Sequence, residues 1–302
     1  MTAQIVVATD GSATSSEAVR FGATLAKALG GRLTLLHVVP AEAGRLAPFM
    51  RETCPPRERR AAEALLRSAQ GDAAEWGAQA AVRMAVGRPA EAILRVVREV
   101  RADMLVVGTR GRKGVARMFL GSVAEALAKV APCPVAVVRE FHQASTGIGP
   151  LLAPTDFSEG AADAARTAAR LARRLGIRLV LLHILPEVVA RRGDDPKATR
   201  RAELKLRREA ENRLRAVIET LDLDSGQGES MLMTGVDVAG IVHVAQKIHA
   251  GCIVMGTRGL TGLPRVLLGS VTDQVLRQAP CPVLVVPPGA ARDEGWWGEA
   301  AP

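Results

Sequence analysis

Tyrosine is missing from these 302 residues, and Phe and Trp bring the aromatic share only to 3%. A platform that stacks exposed bases would have little to build with, and any core has to come from Val, Leu, Ile and Ala. There are four cysteines, Cys54, Cys133, Cys252 and Cys281. None forms a C-x-x-C pair and no Cys/His spacing matches a zinc site, which excludes a metal-stapled module. Cys133 and Cys281 share the context Ala-Pro-Cys-Pro-Val and read as buried, reduced residues at strand starts. No apolar run approaches the roughly eighteen residues that span a bilayer; the longest, such as Leu179 to Leu185, have strand length. Met1 to Thr9 has no basic stretch and meets a charge at Asp10, so it does not read as a secretory signal. The expectation is a cytoplasmic protein. Neither G-x-x-x-x-G-K-[ST] nor G-x-G-x-x-G occurs, so the P-loop and the dinucleotide fingerprint are both absent.

What is present is a repeat. Ala8-Thr9-Asp10-Gly11-Ser12 aligns with Pro154-Thr155-Asp156-Phe157-Ser158, and Leu35-Leu36-His37 with Leu181-Leu182-His183, at an offset of 146. Gly108-Thr109-Arg110-Gly111 then aligns with Gly256-Thr257-Arg258-Gly259, Gly121-Ser122-Val123 with Gly269-Ser270-Val271, and Ala131 to Val135 with Ala279 to Val283, at an offset of 148. Two tandem copies explain a collinear match of this length, and 302 residues suit two domains. They are read as 1–141 and 148–288, with a flexible tail at 289–302.

Within each copy strands and helices alternate. Ile5 to Ala8 is a short β-branched run. The next helix carries Thr14 and Glu17 at capping-box spacing and Ala18, Phe21, Leu25 and Leu29 on one face. Leu33 to Val39 is a strand, Arg57 to Trp76 a helix, and Ala81 to Val86 a strand. Pro89 opens a helix to Val100. Met104 to Val107, Ser122 to Val130 and Val135 to Val138 complete the series. The second copy begins its elements near Gly149, Ser158, Arg178, Asp195, Ser230, Asp237, Cys252, Ser270 and Val283. Such alternation, with strands apolar on both faces, predicts two tandem doubly wound α/β domains of Rossmann-like type, each a five-stranded parallel sheet covered by helices. The first and fourth strands are then neighbours, which brings Asp10 to the loop after Val107. Phe141 to Gly149 reads as the linker. Val135 to Val138 and Val283 to Val286 read as edge strands that pair the copies as a pseudo-dimer, with further homodimerisation open.

The chemistry lies in G-x2-G-x9-G-S: Gly108, Gly111 and Gly121-Ser122 in the first copy, Gly256, Gly259 and Gly269-Ser270 in the second. Glycines leaving a strand free the backbone to turn and to approach a ligand. Gly121-Ser122 and Gly269-Ser270 open helices, whose free amides and positive dipole end favour a phosphate.

With T-D-x-S after the first strand and P-V-x-V-V closing each copy, the chain resembles the universal stress protein family, in the tandem form of its ATP-binding branch. By motif position, the resemblance implies an adenine nucleotide against Ala8, Thr9, Asp10 and Val38, then Val107, Gly108, Arg110, Gly111, Gly121, Ser122 and Val123. In the second copy the equivalents are Pro154, Thr155, Asp156 and Ile184, then Met255, Gly256, Arg258, Gly259, Gly269, Ser270, Val271 and Thr272. Two differences favour the second site: it reads P-T-D where the first has Ala8-Thr9-Asp10, and Thr272 adds a hydroxyl where the first has Ala124.

Asp10 and Asp156 read as ligand contacts rather than helix caps, because Ser12 and Ser158 follow and can cap. Arg110 and Arg258 read as phosphate contacts, with a solvated loop as the alternative. His37 and His183 read as structural, hydrogen-bonded residues rather than catalytic ones. The arginine-rich stretch from Arg191 to Arg208 reads as a solvated helix face. No nucleophile–base pair accompanies the glycine loop, so the expectation is an ATP-, ADP- or AMP-binding regulatory stress protein with little or no hydrolysis, its Mg²⁺ held by the phosphates. An adenylating transferase is the enzymatic alternative. The net charge of +9 also admits a nucleic-acid binder, which the poverty in aromatics argues against. No membrane partner is expected.

Overall fold

The computed structural model describes residues 2–40, 54–109, 120–139, 141, 147–187, 195–257 and 268–289. The first copy runs β1 (Gln4–Ala8), α1 (Ala13–Ala28), β2 (Arg32–Pro40), α2 (Pro56–Glu75), β3 (Ala80–Gly87), α3 (Pro89–Glu99), β4 (Met104–Gly108), α4 (Ser122–Val130) and β5 (Val135–Val138). The second repeats it as β6 (Leu151–Pro154), α5 (Glu159–Leu175), β7 (Leu179–Leu185), α6 (Pro196–Glu219), β8 (Gly228–Thr234), α7 (Asp237–Lys247), β9 (Cys252–Gly256), α8 (Ser270–Gln278) and β10 (Val283–Val286). β8 starts two residues before the Ser230 read from the sequence. No described helix is long and apolar enough to cross a membrane.

The ten strands form one sheet in the order β3-β2-β1-β4-β5-β10-β9-β6-β7-β8. Pairing within each copy is parallel, and β1 lies between β2 and β4 as the doubly wound reading requires. The expected meeting of the last strands takes place: β5 and β10 pair antiparallel, Ala136 opposite Leu284. All eight of their residues are buried. Alternate residues along each strand face opposite layers. Ala136, Val138, Leu284 and Val286 join the core beneath α1, α2, α5 and α6. Val135, Val137, Val283 and Val285 join the core beneath α3, α4, α7 and α8. Both cores therefore run through the junction unbroken. Arg139 reaches across it and donates to the carbonyl of Arg277 in the last turn of α8, where a cation meets the negative end of the helix dipole.

Two sequence expectations need correction. The Thr14–Glu17 capping box does not form: Ser12 caps α1, accepting from Ser15 N. The Glu17 carboxylate is engaged elsewhere, accepting from Arg20 at 2.8 Å and from the backbone N–H of Phe141 at 3.2 Å. Phe141, assigned to the linker, is buried and sets its ring edge-on to Phe21 with centroids 5.2 Å apart. The tail from residue 290, with Trp296 and Trp297, lies outside the described residues, as do Arg191 and Arg192.

Candidate functional site

Each copy's first strand ends in a turn built by three side-chain acceptors within four residues. In the first copy Thr9 Oγ1 accepts from Gly11 N at 3.3 Å, Asp10 Oδ1 from Ser12 N at 3.0 Å, and Ser12 Oγ from Ser15 N at 3.3 Å. In the second, Thr155, Asp156 and Ser158 do the same for Phe157, Ser158 and Ala161 at 3.0, 2.9 and 3.2 Å. Serine is thus the helix cap in both, and the aspartate shapes the turn ahead of it. The residue between them is left-handed in each: Gly11 at φ +76° and, unusually for a bulky side chain, Phe157 at φ +63°. Behind the turn, His37 Nδ1 lies 2.8 Å from Thr9 O and His183 Nδ1 2.7 Å from Thr155 O. A carbonyl only accepts, so both rings carry hydrogen on Nδ1. The two histidines lock the turn to the second strand, the structural role read for them.

The sheet brings the glycine loop alongside. Ala8 stands opposite Val107 on neighbouring strands, so Asp10 and Gly108 lie at the same end of the sheet despite their separation in sequence. Gly121 N donates to Thr109 O at 2.7 Å and Gly269 N to Thr257 O at 2.8 Å. The loop's two ends are therefore tied together in each copy. Arg110, Gly111, Arg258 and Gly259, within the loop, lie outside the described residues.

The glycines divide into two kinds. A Cβ on Gly108 would fall 2.8 Å from the backbone of Thr14, and one on Gly256 2.5 Å from the carbonyl oxygen of Gly160. These two let the first helix of each copy press against the fourth strand. Gly121 and Gly269 instead precede α4 and α8 with φ, ψ of −66°, 145° and −60°, 145°. Any residue adopts those angles. With no side chain, they contribute no cap of their own, and among the described residues no side chain caps the first amides of either helix.

Around these amides the remaining sequence candidates gather on one face of the sheet. Val38, Val107 and Ala124 are buried in one cluster, with Ala8 and Val123 half-buried against it. Ile184 and Met255 are their buried counterparts, with Val271 half-buried. Ile184 is one methylene larger than Val38, and α7 makes room: Gly240 stands where α3 has Ala92, and a Cβ there would fall 2.5 Å from Ile184 Cδ1. The Thr272 hydroxyl donates to Gly256 O at 2.9 Å, tying α8 to β9 where the first copy has only Ala124. Thr109 is 1% exposed and its hydroxyl has no partner among the described residues. Pro154 half-buried and Thr155 buried complete the second turn.

Sequence reasoning missed one arrangement that brackets each site. Asp163, 3% exposed, accepts from Arg166 at 2.6 Å and from Gly289 N at 3.0 Å. It repeats Glu17, Arg20 and Phe141 position for position, so in both copies an acid on the first helix holds the chain as it leaves the last strand. The cysteines form no disulfide, and burial pushes the thiols of Cys133 and Cys281 up to about 12. Among the described residues, no cluster of His, Cys, Asp and Glu is placed to hold a metal ion.

The universal stress protein family model matches residues 1–139 and 147–287. A universal stress protein of Mycolicibacterium smegmatis is 30% identical over 297 residues, covering 94% of this chain and 97% of its own length. One from Methanocaldococcus jannaschii is 34% identical over 139 residues, 45% of this chain and 82% of the relative. Among solved structures, a universal stress protein from Archaeoglobus fulgidus matches with a TM-score of 0.68 at 22% identity, covering 94% of this chain and 98% of that one. At that identity the likeness concerns the fold.

Proposed function

Because the chain belongs to the universal stress protein family, we propose that it binds an adenine nucleotide, ATP foremost, in each copy and acts as a regulatory protein rather than an enzyme. One observation carries the reading: an aspartate-bearing turn and a glycine-capped helix N-terminus follow neighbouring strands at the same end of the sheet, twice in one chain. Backbone amides with a positive dipole end favour a phosphate chain. The hydroxyls of Ser122 and Ser270 add donors, and Arg110 and Arg258 add charge from the loop. Asp10 and Asp156 face the sugar, while Val38 and Ile184 supply the apolar surface for the base. Bound magnesium would neutralise charge on the phosphates. Slow hydrolysis is part of this reading, because the sequence sets no nucleophile–base pair beside the glycine loop.

Isothermal titration of the full chain with Mg-ATP tests this. Two nucleotides per chain are expected. Gly121→Ala with Gly269→Ala adds a methyl group at each helix N-cap while keeping backbone angles that alanine tolerates. The double variant is expected to keep its fold, at about 1 kcal/mol or less per cap, and to lose nucleotide at both sites. Wild-type affinity in that variant overturns the assignment. Mass spectrometry of nucleotide released from purified protein identifies the species carried.

A further inference from the structure

The two turns differ at one residue, and the difference reaches outside the turn. Gly11 needs no support for its left-handed backbone. Phe157 does, because a Cβ in that region crowds the following carbonyl. Its support is visible. The Phe157 ring lies against the His183 ring with centroids 4.4 Å apart, and the Arg213 guanidinium of α6 sits 4.1 Å from its centre on the chain's longest described helix. His183 is itself fixed by its bond to Thr155 O. Strand β7, helix α6 and the turn thus meet on one aromatic ring.

What the ring holds matters for the site. The Phe157 N–H donates to Thr155 Oγ1, and the next N–H, that of Ser158, donates to Asp156 Oδ1. Fixing Phe157 therefore fixes both peptide planes that orient the Asp156 carboxylate. In the first copy the Gly11 N–H makes the same bond to Thr9 Oγ1 at 3.3 Å and Ser15 bonds to that oxygen at 3.1 Å, but position 11 has no side chain through which another element could hold it. The second copy also carries the Thr272 bond that ties α8 to β9.

We propose that Phe157 is a positioning residue which, clamped between His183 and Arg213, pre-organises the second copy's site, so that the chain binds adenine nucleotide there more tightly than in the first copy. This rests on the nucleotide reading above. Pre-organisation raises affinity by removing an ordering cost that would otherwise fall due on binding, and the first copy, with Gly11, retains that cost.

The experiment is isothermal titration of the full chain with Mg-ATP, alongside thermal melting to confirm folding. The wild-type protein is expected to show two classes of site. Phe157→Gly weakens the tighter class by roughly fivefold, the factor that about 1 kcal/mol corresponds to, and leaves the weaker class unmoved. Phe157→Tyr keeps the ring and the wild-type affinity. Arg213→Gln, which leaves the turn's own hydrogen bonds in place, produces a smaller loss confined to the tighter class. Two bound nucleotides of equal affinity overturn the proposal while sparing the nucleotide reading. So does Phe157→Gly with both classes unchanged, or Phe157→Tyr behaving as Phe157→Gly. A chain that binds no ATP overturns the nucleotide reading itself, and this proposal with it.

Discussion

Cys133 and Cys281 sit at matching strand starts, and burial raises both thiols from 9.0 to about 12, with the Asp103 charge adding to the effect at Cys133. Such thiols are poor nucleophiles at neutral pH. They also make stability depend on pH in a definite direction. Between the two values the unfolded chain has released the thiol proton and the folded chain keeps it, so the unfolded state binds fewer protons and stability falls as pH rises. Their contribution is whole below pH 9 and is lost towards pH 12, at up to about 1.4 kcal/mol per pH unit for each thiol. Other groups titrate in that range as well, so the measurement is a difference. Urea unfolding of wild type and of Cys133→Ala with Cys281→Ala is compared at pH 7.5, 9.5 and 10.5. The gap between the two proteins is expected to narrow as pH rises; a constant gap would show that these thiols ionise freely in the fold.

Between elements, the acid on each first helix does work that no local pattern announces. Asp163 binds the amide of Gly289 and the guanidinium of Arg166, tying α5 to the exit of β10. Asp163→Ala leaves the Gly289 amide without its partner, and a loss of about 2–3 kcal/mol is expected. Glu17→Ala, at a more exposed site, is expected to cost about 1 kcal/mol. Shifts of urea midpoint measure both, and equal effects would deny burial its role. Here lies the boundary of what could be read from the chain. The β-α alternation, the neighbouring of β1 with β4 and the serines as possible caps were legible, because periodicity and the repeat encode them over a few residues. The Thr14–Glu17 spacing misled because Glu17 finds its partner at Phe141, 124 residues away, and a local window cannot see such competition. Gly108 and Gly121 looked alike in the motif, yet one serves helix–strand packing and the other stands as the N-cap of α4 with no side chain to cap it. Close backbone approach at one and ordinary extended angles at the other, neither of which a spacing records, separate them. Aligning Gly11 with Phe157 marked a difference without disclosing that the backbone stays left-handed in both.

On the scale of the molecule, the repeat yields one object instead of two. Taken alone, each five-stranded sheet would end in a four-residue strand of Val and its like, buried on both faces and unpaired on one side. That is an invitation to aggregate. The antiparallel seam removes both edges at once and leaves β3 and β8 as the outer strands, whose residues are largely exposed or half-buried. Since both hydrophobic cores cross the seam, the chain is expected to unfold in a single cooperative transition. Ala136, wholly buried opposite Leu284, is the place to test this. Ala136→Asp puts a carboxylate with no cation provided for it into that core, at a cost of several kcal/mol if the seam stays closed. Opening the seam relieves the cost, so the two copies then melt separately and β5 and β10 become available to other chains. Calorimetry is expected to show one endotherm for wild type and two for the variant, with light scattering that grows with protein concentration only in the variant. One endotherm at the wild-type temperature in Ala136→Asp would mean that the copies are coupled by something other than this pair of strands.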